Sequence, residues 1–237
     1  MEAALDFRGR IVVVTGGTGA LGSAVVAALV EAGAVCHVPY LVEAELNHFP
    51  FRDRAEVKLH PQTDLTDEAA VGRFYDLLPG LWASIHLAGG FAGGSIVTTS
   101  KAVLSAQLAT NVVTCYLACR AAVSLLLKSE AGGRIVNVAA RPALEWRNGA
   151  GMTAYAASKA ALAALTVALA EEVAREEILV NAVAPSIIDT PANRRAMPKA
   201  DFDAWPKVDE VAATIVFLAS PDHQVTRGAV VPVYGRA

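Results

Sequence analysis

Thr15-Gly16-Gly17-Thr18-Gly19-Ala20-Leu21-Gly22 stands directly after an apolar run over 10–15 and directly before a helical pattern over 20–32. A turn of this kind needs glycine so that backbone amides can approach a pyrophosphate, which then sits at the positive end of the helix. Gly16, Gly19 and Gly22 recur every third residue. Structural turns share that composition. The position after a first strand makes Gly16, Thr18, Gly19, Ala20, Leu21 and Gly22 candidates for binding a dinucleotide.

Around this turn, apolar β-branched runs at 10–15, 35–38, 57–60, 84–88, 134–138, 179–183 and 229–233 alternate with helical patterns near 20–32, 67–78, 101–127, 154–175 and 209–218. The strands are continuously apolar, which predicts a sheet buried on both faces, hence parallel and covered by helices. No repeat or linker divides the chain, and 237 residues suit one domain. The expected architecture is a doubly wound α/β sheet, the Rossmann fold, with about seven strands in a single domain over 1–237.

Composition narrows the function. The chain is 54% hydrophobic and 18% charged with a net charge of −3, so no basic face points to nucleic acid or an anionic membrane. The first ten residues carry Glu2, Asp6, Arg8 and Arg10 and lack the apolar core of a signal peptide. The apolar stretch 160–170 is too short to span a bilayer and reads as a buried helix. Cys36, Cys115 and Cys119 form no metal-like cluster, and the five histidines are dispersed. Core packing is expected for the cysteines, no metal is expected, and the compartment is expected to be cytoplasmic.

The second strand should end in an acid that binds the adenosine ribose and repels a 2′-phosphate. That position is Tyr40; Glu43 either substitutes for the acid or is an exposed helix-start glutamate. No arginine or lysine fills the turn or follows Tyr40, so a 2′-phosphate clamp is missing too and the lean is to NAD(H) over NADP(H). Asp64 and Leu65 follow strand three, where they would meet the adenine; a helix-capping role for Asp64 is compatible.

Tyr155-Ala-Ala-Ser-Lys159 sets a phenol and an ammonium one helical turn apart on one face. A nearby cation should stabilise the phenolate and lower the tyrosine's pKa towards neutrality, where it serves as a general acid. With the glycine turn, Asn111 on the preceding long helix and Asn181-Ala-Val-Ala-Pro185 closing strand six, the chain resembles the short-chain dehydrogenase/reductase family over nearly its whole length. The resemblance implies that Tyr155 donates the proton, that Lys159 also meets the nicotinamide ribose, and that Asn111 holds a water on the proton relay. It places Ala88, Gly89 and Gly90 against the cofactor and gives the carboxamide to the turn from Pro185 through Ile188 and Thr190. It also implies a dimer or tetramer through the helices at 101–127 and 154–175.

The departures from the family pattern carry information. Strand five continues into Ala139-Ala140 where the family keeps serines, Ala20 replaces a fingerprint glycine, and His86-Leu87-Ala88-Gly89 and Ser186 replace the usual residues. The loop 88–94, the serine-less strand and the segment 189–205 are similar to the dihydropteridine reductase branch, although that branch has an acid at Tyr40 and a bulkier aromatic near Phe91. Losing a donor to a developing oxyanion costs roughly 2.7–4 kcal/mol, so its absence favours a conjugated acceptor such as a quinonoid dihydropterin over a simple ketone. Ketone or 3-oxoacyl reduction and a non-catalytic dinucleotide-binding module stay open as alternatives. Phe91, Ala140, Arg141 and Trp205 are the candidate substrate-pocket residues, with ordinary packing or solvation as the competing reading. Ser158 is expected to pack against another subunit, and His86 to be a satisfied buried residue.

Overall fold

A computed structural model describes residues 5–129 and 131–237; Glu2, one of the charges of the N-terminal segment, lies outside them. Its strands are β1 (Ile11–Thr15), β2 (Val35–Pro39), β3 (Val57–His60), β4 (Ala83–His86), β5 (Gly133–Val138), β6 (Ile178–Pro185) and β7 (Val230–Val233). The main helices are α1 (Ala20–Glu31), α2 (Glu68–Asp76), α3 (Lys101–Leu108), α4 (Thr114–Leu126), α5 (Thr153–Glu172), α6 (Pro191–Ala196) and α7 (Val208–Ala219). Every strand pairing is parallel, in the order β3-β2-β1-β4-β5-β6-β7. The doubly wound sheet is therefore as expected.

Two apolar layers cover it. Val25, Val26 and Leu29 of α1 join Val211, Ile215 and Leu218 of α7 on one face. Phe74 of α2, Cys119 and Leu126 of α4 and Leu162 of α5 fill the other. Winding reverses between β1 and β4, and ligands of such sheets bind in the crevice beyond the strand ends there. The sequence therefore delivers the glycine turn and the 87–90 loop to one place.

The structure corrects several element boundaries. β4 ends at His86, leaving Leu87 and Ala88 to the loop. The long 101–127 helix is interrupted by a π-turn at Ala109–Val113, and a 3-10 turn forms at Glu43–His48. The reading of 160–170 as too short to span a bilayer is also corrected. That stretch belongs to the 20-residue α5, and both α5 and the 101–126 run are long and apolar enough to cross a membrane by length and composition. Here α5 packs against β6 and buries Ser158, Lys159 and Thr166.

Candidate active site

Each glycine of the first turn has its own reason. Gly16 has φ +67°, and a Cβ there would lie 2.7 Å from the Ala88 amide nitrogen. A Cβ on Gly22 would meet the Gly16 carbonyl at 2.1 Å, so α1 reaches the strand only without one. Gly19 would accept a Cβ at ordinary contact, 3.4 Å from the Gly16 carbonyl, and forms the N-cap of α1 with no side chain on the first amides and no acid in the first turn. Unclaimed N–H groups at a helix start are an electrostatic seat for a phosphate.

Beside this turn, Tyr40 donates to Glu43 Oε1 at 2.9 Å. Glu45, which the sequence reading passed over, accepts from Thr18 Oγ1 at 2.9 Å and from the amides of Leu41 and Val42. Glu43 is exposed at the start of the Glu43–His48 turn, as the helix-start alternative has it, and also accepts from the Tyr40 hydroxyl, so that with Glu45 two carboxylates stand near Tyr40. The capping expectation for Asp64 is corrected, because its carboxylate holds the amide and hydroxyl of Thr66 while Asp67 caps α2. Leu65 is half-buried against the α2–α4 core.

At the other end, Lys159 is buried and donates from Nζ to the Val138 carbonyl at 2.8 Å. Its Nζ lies 5.9 Å from the Tyr155 ring centroid. Burial pushes the Lys159 ammonium down to about 8 and the Tyr155 phenol up to about 12. The expected lowering of the tyrosine's pKa is thus reversed, since desolvation disfavours phenolate and ammonium alike. Tyr155 is a neutral proton donor in this arrangement. Phe91 is 64% exposed and meets the Tyr155 ring edge-on, with centroids 5.0 Å apart.

Asn111 is fully buried between the 88–90 loop and α5. Its side chain is spent on the protein: Oδ1 accepts from Gly90 N at 2.8 Å, while Nδ2 donates to Gly90 O and Ser158 Oγ, each at 3.0 Å. It clamps the 88–90 loop, and a Cβ on Gly89 would lie 2.8 Å from Asn111 Oδ1 and 3.5 Å from Lys159 Nζ. Ser158 is corrected too. Rather than facing another subunit, it is buried within the chain and donates to the Tyr155 carbonyl at 2.8 Å.

The pocket candidates separate. Ala139 and Ala140 are buried and offer no side-chain donor. Arg141 is tied to Glu145 at 2.7 Å and lies 4.7 Å over the Tyr234 ring, a partner the sequence did not announce. Trp205 is buried against Phe202, with centroids 5.1 Å apart, which is the packing alternative. Past Pro185, Ser186 bonds to Val233 and Tyr234, Ile188 O accepts from Asn193 Nδ2, and Thr190 caps α6. Asp189 pairs with Arg194 and Lys207, so the 186–207 segment is braced at both ends. The structure also overturns the expectation that cysteines and histidines stay apart, since His86, Cys115 and Cys119 converge behind this site.

The geometry can be set beside known proteins. The short chain dehydrogenase family matches residues 10–201. The chain is 28% identical to (2S)-[(R)-hydroxy(phenyl)methyl]succinyl-CoA dehydrogenase subunit BbsD of Thauera aromatica, covering 98% of this chain and 97% of that one. It is 27% identical to the 3-oxoacyl-[acyl-carrier-protein] reductase FabG of Vibrio harveyi, covering 98% of each. Among solved structures, a short-chain type dehydrogenase/reductase from Mycobacterium ulcerans superposes with a TM-score of 0.88 at 24% identity, over 98% of this chain and 90% of that one. ElxO with NADP bound superposes at 0.86 with 23% identity, over 95% and 97%. The family match spans the glycine turn, Asn111, Tyr155 and Lys159 alike: this chain belongs to the short-chain dehydrogenase family and is an oxidoreductase of that NAD(P)-dependent type.

Proposed function

We propose that this enzyme reduces a flat, conjugated acceptor of the quinonoid dihydropterin class, with Tyr155 as proton donor and NAD(H) as the preferred dinucleotide. The observation that carries the reading is the lack of a side-chain donor where β5 ends, next to the Val138 carbonyl that Lys159 holds. Ala139 and Ala140 supply no donor, and the nearest candidate replacement, Arg141, is occupied by Glu145 and Tyr234. A ketone concentrates developing charge on one oxygen and profits from a second donor; a conjugated ring spreads it. The exposed Phe91 ring beside Tyr155 gives such a plane an apolar face.

A dinucleotide fits the cradle formed by Gly16, Thr18, Gly19 and the open start of α1, with Asp64 and Leu65 towards its adenine. Ala88, Gly89, Gly90, Pro185, Ile188 and Thr190 flank its nicotinamide end. When bound, it supplies the hydride. Tyr155 releases its phenolic proton to the acceptor, completing a two-electron reduction, and regains a proton from solvent. Lys159 holds the Val138 carbonyl and meets the ribose. The carboxylates of Glu43 and Glu45 beside Thr18 and Tyr40 repel a 2′-phosphate, which supports NAD(H), although a structural neighbour carries NADP. Two or four copies pair through α3–α4 and α5, where Leu104, Leu108, Val113, Tyr116 and Val167 are exposed.

A second reading, 3-oxoacyl reduction, is favoured by the FabG relative. The deciding experiment measures turnover of quinonoid dihydropterin, simple ketones and 3-oxoacyl thioesters with NADH and NADPH. Faster turnover of the dihydropterin supports the proposal, and equal or faster turnover of the others sinks it. Tyr155→Phe should retain dinucleotide binding and lose about 10²–10⁴-fold in turnover.

A further inference from the structure

Four side chains that the reaction does not use converge between the sheet and α4. His86 and Asn137 are register partners on β4 and β5, so they project side by side. Cys115 and Cys119 lie one turn apart on α4 and point at them. Asn137 Oδ1 lies 2.8 Å from His86 Nδ1, 3.2 Å from Cys115 Sγ and 3.6 Å from Cys119 Sγ. His86 Nδ1 lies 3.4 Å from Cys119 Sγ and 3.9 Å from Cys115 Sγ. All four residues are buried.

Filled only by protons, this cluster is crowded. An imidazole N–H and two thiols direct three hydrogens at one carbonyl oxygen, which has two lone pairs. A cation at the centre replaces three hydrogens with one partner for all four groups. We propose that His86 Nδ1, Cys115 Sγ, Cys119 Sγ and Asn137 Oδ1 form a closed structural site for a thiophilic divalent cation, zinc. Tetrahedral zinc with bonds of about 2.3 Å to sulfur and about 2.0–2.2 Å to nitrogen and oxygen sets its donors roughly 3.3–3.8 Å apart. The contacts of the two sulfurs with His86 Nδ1 and Asn137 Oδ1 already span 3.2–3.9 Å, the three His and Cys ligand atoms lie within 4.8 Å of one another, and the nitrogen–oxygen pair must open.

Charge balance agrees. Two thiolates and a divalent cation sum to zero, so the filled site buries no net charge. The outer partners suit the role. His86 Nε2 lies 2.8 Å from Ser84 Oγ, which lies 2.7 Å from the Tyr75 hydroxyl. Loading moves the imidazole hydrogen from Nδ1 to Nε2, where Ser84 Oγ accepts it, and leaves Nδ1 free to ligate. Asn137 Nδ2 donates to Thr166 Oγ1 at 3.0 Å, turning Oδ1 towards the cluster. Binding releases two thiol protons and, with no open coordination position, supplies no reactive water. The ion pins β4, β5 and α4 together and is loaded as the chain folds. This inference is independent of the substrate proposed above.

The test is the metal content of the full-length protein produced with added zinc and washed with a mild chelator. About one zinc per chain is expected, retained in Cys36→Ser, whose thiol is buried elsewhere, and absent from the double variant Cys115→Ser/Cys119→Ser. Should the double variant fail to fold, the wild-type protein refolded with cobalt(II) decides. A thiolate-to-cobalt charge-transfer band supports the site, and its absence overturns it. A wild-type zinc content at background, or zinc retained by a folded double variant, overturns it as well.

Discussion

Lys159 stands in the core, where an ammonium is out of place. Among the described residues its one hydrogen bond goes to Val138 O, and burial lowers its pKa from 10.5 to about 8. A base whose folded pKa is depressed destabilises the native state wherever it is protonated in both states, that is, below about pH 8. The penalty fades between pH 8 and 10.5 and is gone above the unfolded value. Lys159→Met should therefore raise folding stability at pH 7 by about 1–2 kcal/mol, after allowance for the Val138 carbonyl it leaves unpaired, and lose that advantage by pH 10.5. Thermal melts at the two pH values check this; equal gains at both would contradict it. Turnover should collapse in the same variant, so this lysine costs stability in the service of chemistry. The neutral phenol of Tyr155 suits the reductive direction, in which a proton must be given rather than taken.

At the scale of elements, the proposed preference for NAD(H) rests on the 3-10 turn at Glu43–His48. It is pinned by Glu45, which accepts from Thr18 and from the turn's own entry amides. Glu43→Gln/Glu45→Gln removes the charge and keeps the shape. The ratio of kcat/KM for NADPH to that for NADH should rise at least about tenfold, equivalent to about 1.4 kcal/mol; an unchanged ratio would remove these carboxylates from the argument. The sequence made the strands and long helices legible, because continuous apolar runs and 3.6-residue periodicity survive in the fold. It hid this turn, since Leu41-Val-Glu-Ala-Glu-Leu46 has neither period for long enough to register. Tyr155, Lys159, Phe91 and the glycine turn were also legible. The convergence of His86 with Cys115 and Cys119 was not, because strand register and helix phase must both be known before distant residues can be seen as neighbours. The true partners of Asn111 and Arg141 were hidden for the same reason.

For the whole molecule, the exposed apolar residues of α3, α4 and α5 predict self-association. Light scattering on the purified chain should give a dimer or tetramer, and Val113→Glu should yield monomer at micromolar concentration. A wild-type monomer would refute the assignment of that face. Pairing there would also brace the helices that hold Asn111 and Lys159 from outside.

The π-turn at Ala109–Val113, where the Thr114 amide reaches back to Ala109 O, sets the rotational offset between two halves of one helical rod. Before it and within it, residues look towards α5 and the 88–90 loop; after it, Cys115 and Cys119 look into the sheet. A regular helix turns about 100° and climbs about 1.5 Å per residue, so a rod one residue shorter aims one half correctly and swings the other aside. What distinguishes this stretch is therefore its count. The number of residues along 109–113 matters beside their identity: a single deletion would leave the composition almost intact and put Asn111 and the buried cluster out of phase.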